Sequence, residues 1–477
     1  MYDPQRWGLS QDAILGLVEG LHQFWERFRS QFRTRTRDGA EYAYGYLSGL
    51  LRMEKDRNYA NIGRQTGASG QNVQHFMSNS PWSARVVIQQ VQQEIAAKPG
   101  LGPGGVLVLD ESAVEKAGSK SAGAARLYNG RLGKIEMSQI GTFLAYAKGE
   151  TWTWVDGELF LPEPWFRPER AEDRKKLGIP ADRRFSTKVQ LGWQMIQRAR
   201  ANGLPFEAVA CDDHYGRAGW FRQTMDRAGI VYMADVPAGT QVYLKEPKMK
   251  VPANEAGHQG RPFSRERVVS EEQPVSVEAV GRLEGTAWQR IRVRATERGE
   301  LNDPFAARRV WTLRDGELAQ EWLVIRREVD RRLTYSLSNA PGDTTMERLA
   351  WLKCQRYFVE SANQDAKSQT GWDELQAQKY LAWEHHLAMT ILASWYIAET
   401  KLDWAARHLR DPLLAEQMGV DRLPPLSVAN VRALLRATMP LPELTPEGAA
   451  SLVVEHLINR TRARKSRLNR SQHPSTS

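Results

Sequence analysis

VLVLDESAVEKAG, residues 106–118, opens with four apolar residues and an acid. A continuous apolar run of this length reads as a strand covered on both faces. The polar, glycine-containing stretch after it predicts that the strand stops near Leu109, with Asp110 facing a site. The pattern returns in FEAVAC, residues 206–211, which runs into Asp212-Asp213-His214-Tyr215-Gly216, a D-x-x-Y-G string. Between them Ile140 to Ala147 and Thr151 to Phe160 read as strands joined by a turn at Lys148-Gly149, with Trp152, Trp154 and Val155 adding β propensity. A helix is predicted over Ser186 to Ala201 and a further strand over Ile230 to Val236. Three strands, a helix, a strand, a helix and a strand form a mixed α/β order, and two neighbouring strands then present Asp110 and Asp212 at one sheet edge. Taken singly, each acid also fits an ordinary turn or cap.

Working outward, Ile14, Leu17, Leu21, Phe24 and Phe28 recur at helical spacing, and residues 1–98 read as a helical amino-terminal domain ending at the Pro/Gly-rich run Pro99 to Gly105. Within it YANIGRQTGASGQNVQHFM, residues 59–77, places Ile62, a turn at Gly67, Ser69 as N-cap, then Val73 and Phe76. That spacing suits a DNA-binding helix-turn-helix with Asn72 as a candidate contact, and equally a plain helical hairpin. After a first core part, residues 99–236, residues 237–340 are strand-rich (Trp288 to Thr296, Arg309 to Leu313, Trp322 to Ile325, Leu333 to Leu337) and read as a separate β insertion. Helical periodicity resumes from Met346 to about Trp404, giving a second core part over 341–412. Residues 413–477 read as a helical region, with a Pro-containing break near Arg422 to Leu426, and a mobile basic tail carrying Arg460, Arg462, Arg464, Lys465, Arg467 and Arg470 without an acid.

A chain of 477 residues exceeds what one core comfortably fills, so several domains are expected. A net charge of +10 favours a polyanionic partner, because counterion release drives Lys and Arg onto phosphates. Cys211 and Cys354 alone provide neither a disulfide framework nor a cysteine zinc site. The best apolar segment, Leu387 to Ala398, is too short to span a bilayer and no targeting segment is evident, and a reducing cytoplasm is the expected location.

Glu360 joins the two aspartates through its helix. At ~100° per residue Arg356, Glu360 and Lys367 fall at roughly 0°, 40° and 20°, one acid between two cations on one stripe. Such a stripe suits a metal ligand flanked by phosphate contacts; an exposed helix with an i,i+4 ion pair has the same pattern. With these pieces the chain resembles the IS701 and IS4 group of bacterial insertion-sequence transposases, whose signature Y-x2-R-x3-E-x6-K is matched by Arg356, Glu360 and Lys367, with Lys353 in place of the Tyr. The resemblance extends to VLVLDESAVEKAG, GAARLYNGRLGKIEMSQIG (123–141), GELFLPEPWF (157–166), VACDDHYG (209–216) and TYSLSNAP (334–341).

The resemblance implies a ribonuclease-H-like catalytic core interrupted by a β-rich insertion, with catalytic, metal-ligating Asp110, Asp212 and Glu360. It implies two Mg²⁺ ions, with Mn²⁺ able to substitute, held by these carboxylates and working on the attacking and leaving oxygens of a phosphodiester. It further implies cut-and-paste chemistry on double-stranded DNA, transposon ends and target alike, by a homodimer at least on DNA. Candidate DNA contacts are Arg356, Lys367, Lys188, Asn72, Arg462, Arg464, Lys465 and Arg467. Asp213 is the competing second ligand, and one of Trp288, Trp311 and Trp322 is a candidate for stacking on an unpaired base. His214 and His385-His386 lack metalloprotease spacing and read as scaffold or DNA contacts. Two other readings remain open on sequence: a sequence-specific DNA-binding regulator with structural acids, and a ribonuclease-H-like nuclease without transposition activity.

Overall fold

The computed structural model describes residues 3–130, 132–252, 263, 265–296, 299–443 and 445–472. Five helices come first: α1 (Gln11–Phe28), α2 (Ala40–Arg52), α3 (Tyr59–Thr66), α4 (Gly70–Ser78) and α5 (Ala84–Ala97). Side chains of Ser10, Asn58, Ser69 and Ser83 accept from the N–H groups of Ala13, Asn61, Asn72 and Val86, satisfying donors that a helix start leaves open. Between α3 and α4 the chain turns through Gly67 at φ +73, and Ile62, Val73 and Phe76 are buried.

Strands and helices then alternate as β1 (Gly105–Glu115), β2 (Ala125–Asn129), β3 (Lys134–Lys148), β4 (Thr151–Leu159), α6 (Ala171–Leu177), α7 (Lys188–Ala201), β5 (Phe206–Cys211), α8 (Asp213–Gly216), α9 (Gly219–Arg227) and β6 (Val231–Val236). The order β4-β3-β1-β5-β6, antiparallel among the first three and parallel among the last three, is consistent with a ribonuclease-H-like sheet. Two expectations are corrected. β1 does not stop at Leu109 but runs to Glu115, because β3 is long enough to pair with it as far as Ser138. β2 was not foreseen; its AARLYN sequence alternates in burial but lacks a continuous apolar run.

Next come β7 (Gln241–Val242), β8 (Met249–Lys250), β9 (Arg267–Val268), β10 (Val275–Ser276), α10 (Val277–Gly281), β11 (Gln289–Thr296), β12 (Gly299–Arg314), β13 (Glu317–Arg327) and β14 (Leu333–Ser338). The region is β-rich but its main strands are not separate. β14 pairs antiparallel with β6, so β11 to β14 prolong the core sheet to ten strands among the described residues. The free edge of β6 supplies the reason, since unpaired N–H and C=O groups template another strand.

The remaining helices are α11 (Met346–Cys354), α12 (Tyr357–Ser368), α13 (Tyr380–Arg407), α14 (Leu413–Gln417), α15 (Val428–Thr438) and α16 (Pro446–Gln472). The periodic stretch from Met346 is therefore three helices, the second ending where Gly371 takes φ +71. α13 is apolar around most of its girth and buried from Tyr380 to Ala398 at nearly every position, the pattern of a central helix. It packs on β4, α2, α4, α5 and α15, so α1 to α5 share one apolar cluster with the sheet. The carboxy-terminal basic segment, expected as a tail, is helical in α16, in keeping with a sequence free of Gly and Pro beyond Gly448 until Pro474. No described helix is long and apolar enough to cross a membrane.

Candidate active site

Three aspartates stand side by side, on β1, just past β5 and on β6. Leu109 of β1 is in register with Cys211 of β5, and Cys211 with Ala234 of β6. Asp110, Asp212 and Asp235 each follow that buried row by one residue. Asp110 lies within β1, its Oδ1 accepting from Glu111 N–H at 2.8 Å. Asp212 caps α8, its Oδ1 accepting from His214 N–H at 3.0 Å and Tyr215 N–H at 3.3 Å. Burial and then the Asp212 carboxylate push the Asp110 carboxyl up to about 7. Burial and then Glu111 push Asp212 up to about 6. Both shifts disfavour the anion.

The D-x-x-Y-G string is explained locally. Asp212 is the cap, Tyr215 is fully buried, and Gly216 lies so close to β6 that a Cβ would come within 1.9 Å of Asp235 O. Asp213 heads away, paired with Arg217 at 2.8 Å and half exposed.

Arg356 links the acids. It caps α12, with Nε 3.1 Å from Asp235 and Nη2 2.8 Å from Glu360. Burial works against its charge, but Asp235, Glu360, Asp110 and Asp212 together hold its pKa above the ordinary value. Asp235, which the sequence reading missed, also receives Lys353 at 3.2 Å and the Ser336 hydroxyl. Lys353 thus fills the signature's Tyr position as a buried cation, its pKa lowered by burial. Asn363, also missed, donates from Nδ2 to Asp110 Oδ2 at 3.4 Å while its Oδ1 accepts from Trp154 Nε1 at 2.9 Å. An indole N–H only donates, which fixes the amide with its NH₂ toward Asp110.

Other expected contacts have structural occupations. Lys367 Nζ donates to Ala113 O at 3.1 Å, tying α12 to β1. Lys188, expected as a DNA contact, is tucked in against Glu111. Asn72 is exposed and touches Tyr42 Oη at 3.3 Å. Arg462, Arg464 and Lys465 are exposed on α16; the side chain of Arg467 lies outside the described residues. Trp288 and Trp322 lie beneath Arg327 and Arg309, and Trp311 is half-buried. His385 and His386 are buried scaffold residues of α13.

Among the described residues no three His, Cys, Asp or Glu side chains are grouped to hold a metal ion. The expected three-acid set is therefore not assembled: Asp110 and Asp212 are brought together, while Glu360, 52% exposed, is engaged by Arg356. The pair itself fits a hard divalent cation, being two oxygen donors whose charges resist coexisting without one. Beside them Glu111 Oε2 is buried without a hydrogen-bond partner among the described residues.

A family model described as DDE superfamily endonuclease matches residues 27–300. That span contains Asp110 and Asp212 and ends before Glu360. The chain is also similar to a probable transposase for insertion sequence element IS701 from Microchaete diplosiphon, 24% identical over 206 residues. The alignment covers 42% of this chain and 50% of that protein, so the chain spans about half the length of the curated relative it matches.

Proposed function

The chain belongs to the DDE superfamily of endonucleases, and on that premise we propose that it is a transposase, cutting at the ends of an insertion sequence and joining the freed 3′-hydroxyls to target DNA. The observation that carries this reading is the placement of Asp110 and Asp212 at one register position of two adjacent parallel strands, with the Arg356 guanidinium between them and Glu360. Asp110 and Asp212 would hold magnesium, with Glu360 completing the set once it leaves Arg356. A magnesium ion held there would supply polarisation of the scissile phosphate and a lower pKa for the attacking oxygen. In the cut a water oxygen bonds to phosphorus, the bond from phosphorus to the 3′-oxygen breaks, and that oxygen takes up a proton. Released by Glu360, Arg356 neutralises charge gathering on the phosphate. Lys353 and Asp235 hold it in place, and Lys367 keeps α12 against β1. Two copies acting on two ends and the helices α3 and α4 on DNA belong to the same reading.

The test uses a duplex carrying an inverted repeat that flanks this coding sequence. Asp110→Asn, Asp212→Asn and Glu360→Gln are each expected to lower Mg²⁺-supported nicking by roughly a thousandfold or more while gel-shift affinity changes little, since these groups act in the chemical step. Undiminished nicking by Glu360→Gln removes Glu360 from the site.

A further inference from the structure

β3 outruns the strands beside it. β1 pairs with it only as far as Ser138, and the Lys116 N–H adds one bond to Met137 O. Beyond that, among the described residues, β3 is paired with β2 alone, as a two-stranded hairpin whose strands end at Asn129 and begin at Lys134, with Gly133 at φ +65. At its far end Tyr128 and Ile135 are direct cross-strand partners, 63% and 59% exposed, and Leu132 in the turn is 39% exposed. Facing apolar pairs on a strand normally cover a core. Among the described residues this pair covers nothing.

The register says which way it faces. Antiparallel partners share a face and alternate residues repeat it. Asp110 is opposite Phe143, and Met137 and Ile135 are six and eight residues from Phe143 along β3. Their β2 partners are Arg126 and Tyr128. The exposed apolar pair and Arg126 therefore lie on the same sheet face as Asp110, the pair about 26 Å and Arg126 about 20 Å along the strand at ~3.3 Å per residue. Charge distinguishes the partner: between Glu115 at the base and Glu136 the chain carries Lys120, Arg126, Arg131 and Lys134 and no acid, with Lys116 turned in to donate to Leu375 O at 2.9 Å. Glu136 alternates to the other face and is paired with Lys134.

We propose that this hairpin is a DNA-reading finger: Arg126 on a phosphate, Tyr128 and Ile135 wedged apolar-side against a base step of the duplex whose backbone is cut at Asp110. The proposal rests on the transposase reading and adds a contact to it. Apolar side chains flanked by cations enter the minor groove and unstack a step, kinking the duplex. At 3.4 Å per base pair the span corresponds to roughly seven to eight base pairs from the cleaved phosphate. A protein partner at a patch with this charge would be acidic, and a second copy of this chain would bring cation against cation.

The test pairs the full chain with the inverted-repeat duplex, carrying 2-aminopurine at successive positions, and compares wild type with Tyr128→Ser/Ile135→Ser and with Arg126→Ala. All three positions are exposed, and unchanged thermal unfolding verifies that the variants fold. Expected are a fluorescence rise at one step roughly seven to eight base pairs from the cut in the wild type, its loss in the double variant, and a shallower salt dependence of binding in Arg126→Ala. Wild-type nicking with the same fluorescence profile in the double variant overturns the finger alone. Loss of self-association on sedimentation, with the DNA signal intact, also overturns it, in favour of a contact between copies. A wild type that does not nick the duplex in Mg²⁺ sinks the transposase reading, and the finger with it.

Discussion

Asp212 and Asp213 are neighbours with different occupations, and the difference is testable. Strand β5 ends at Cys211, so the two carboxylates are separated by the start of α8 and not by strand alternation. Asp212 turns back over its helix toward Asp110, whereas Asp213 pairs with Arg217 in solvent. A thiolate at a magnesium ligand position disfavours the hard ion and tolerates manganese better. Asp212→Cys should therefore lose Mg²⁺-supported nicking to an extent comparable with Asp212→Asn and recover part of it in Mn²⁺, while Asp213→Cys stays near wild type. Rescue at 213 and not at 212 would move the ligand by one residue. Asp110 and Asp212 were legible because each ends an apolar run. The same signal sits in Ile230 to Asp235, IVYMAD, and identifies Asp235, but only knowledge that β6 is in register with β5 puts it in the row. Asn363 falls ~20° from Arg356 on the helix stripe. It went unread because an amide has no charge to draw attention, and its role depends on Trp154 from a distant strand.

Elements were legible where one local signal decides them and misread where a neighbour does. β5 and α7 are set by an apolar run and a Thr187–Gln190 capping box, and their limits match the expectation within two residues. β1 looked finished at Asp110 because Glu111 to Glu115 is polar; pairing with β3 extends it, a long-range effect that no window of sequence contains. The His385-His386 pair illustrates the same dependence, since two polar side chains in the middle of an apolar helix are explained only by what surrounds them. His386 Nδ1 lies 2.9 Å from Tyr46 Oη and its Nε2 3.2 Å from Trp372 O, so a neutral ring accepts on one side and donates on the other. Burial holds both imidazoles down to about 4. A folded-state pKa below the unfolded value of about 6.5 means that the unfolded chain binds more protons between those limits, so stability falls as pH drops from about 6.5 toward 4. Each ring accounts for up to about 3 kcal/mol of that fall. Unfolding in denaturant at pH 7 and pH 4.5 should show the loss, and His386→Gln should reduce it; a pH dependence identical in the variant would assign the loss to other groups.

At the scale of the whole molecule, the order of strands predicted the core, but not that the β-rich region adds to the same sheet, because sequence shows that β14 is a strand without showing that β6 has a free edge for it. Charge, by contrast, is additive and legible without any fold. The chain carries 66 Lys and Arg against 56 Asp and Glu. Residues 460–477 hold Arg460, Arg462, Arg464, Lys465, Arg467 and Arg470 and no acid, so ending the chain at Asn459 takes the net charge from +10 to +4. Those cations lie on α16, where Arg460, Arg462, Arg464 and Lys465 are exposed, in place to meet phosphates without reading bases. Each phosphate neutralised contributes about −0.9 to the slope of log K against log salt, so full engagement of six cations amounts to a slope change of about 5. Truncation after Asn459 should make the slope shallower by a sizeable part of that and weaken binding to all duplexes alike, leaving the preference for the inverted repeat over random DNA unchanged. A lost preference with an unchanged slope would make α16 a reader of sequence and not a carrier of charge.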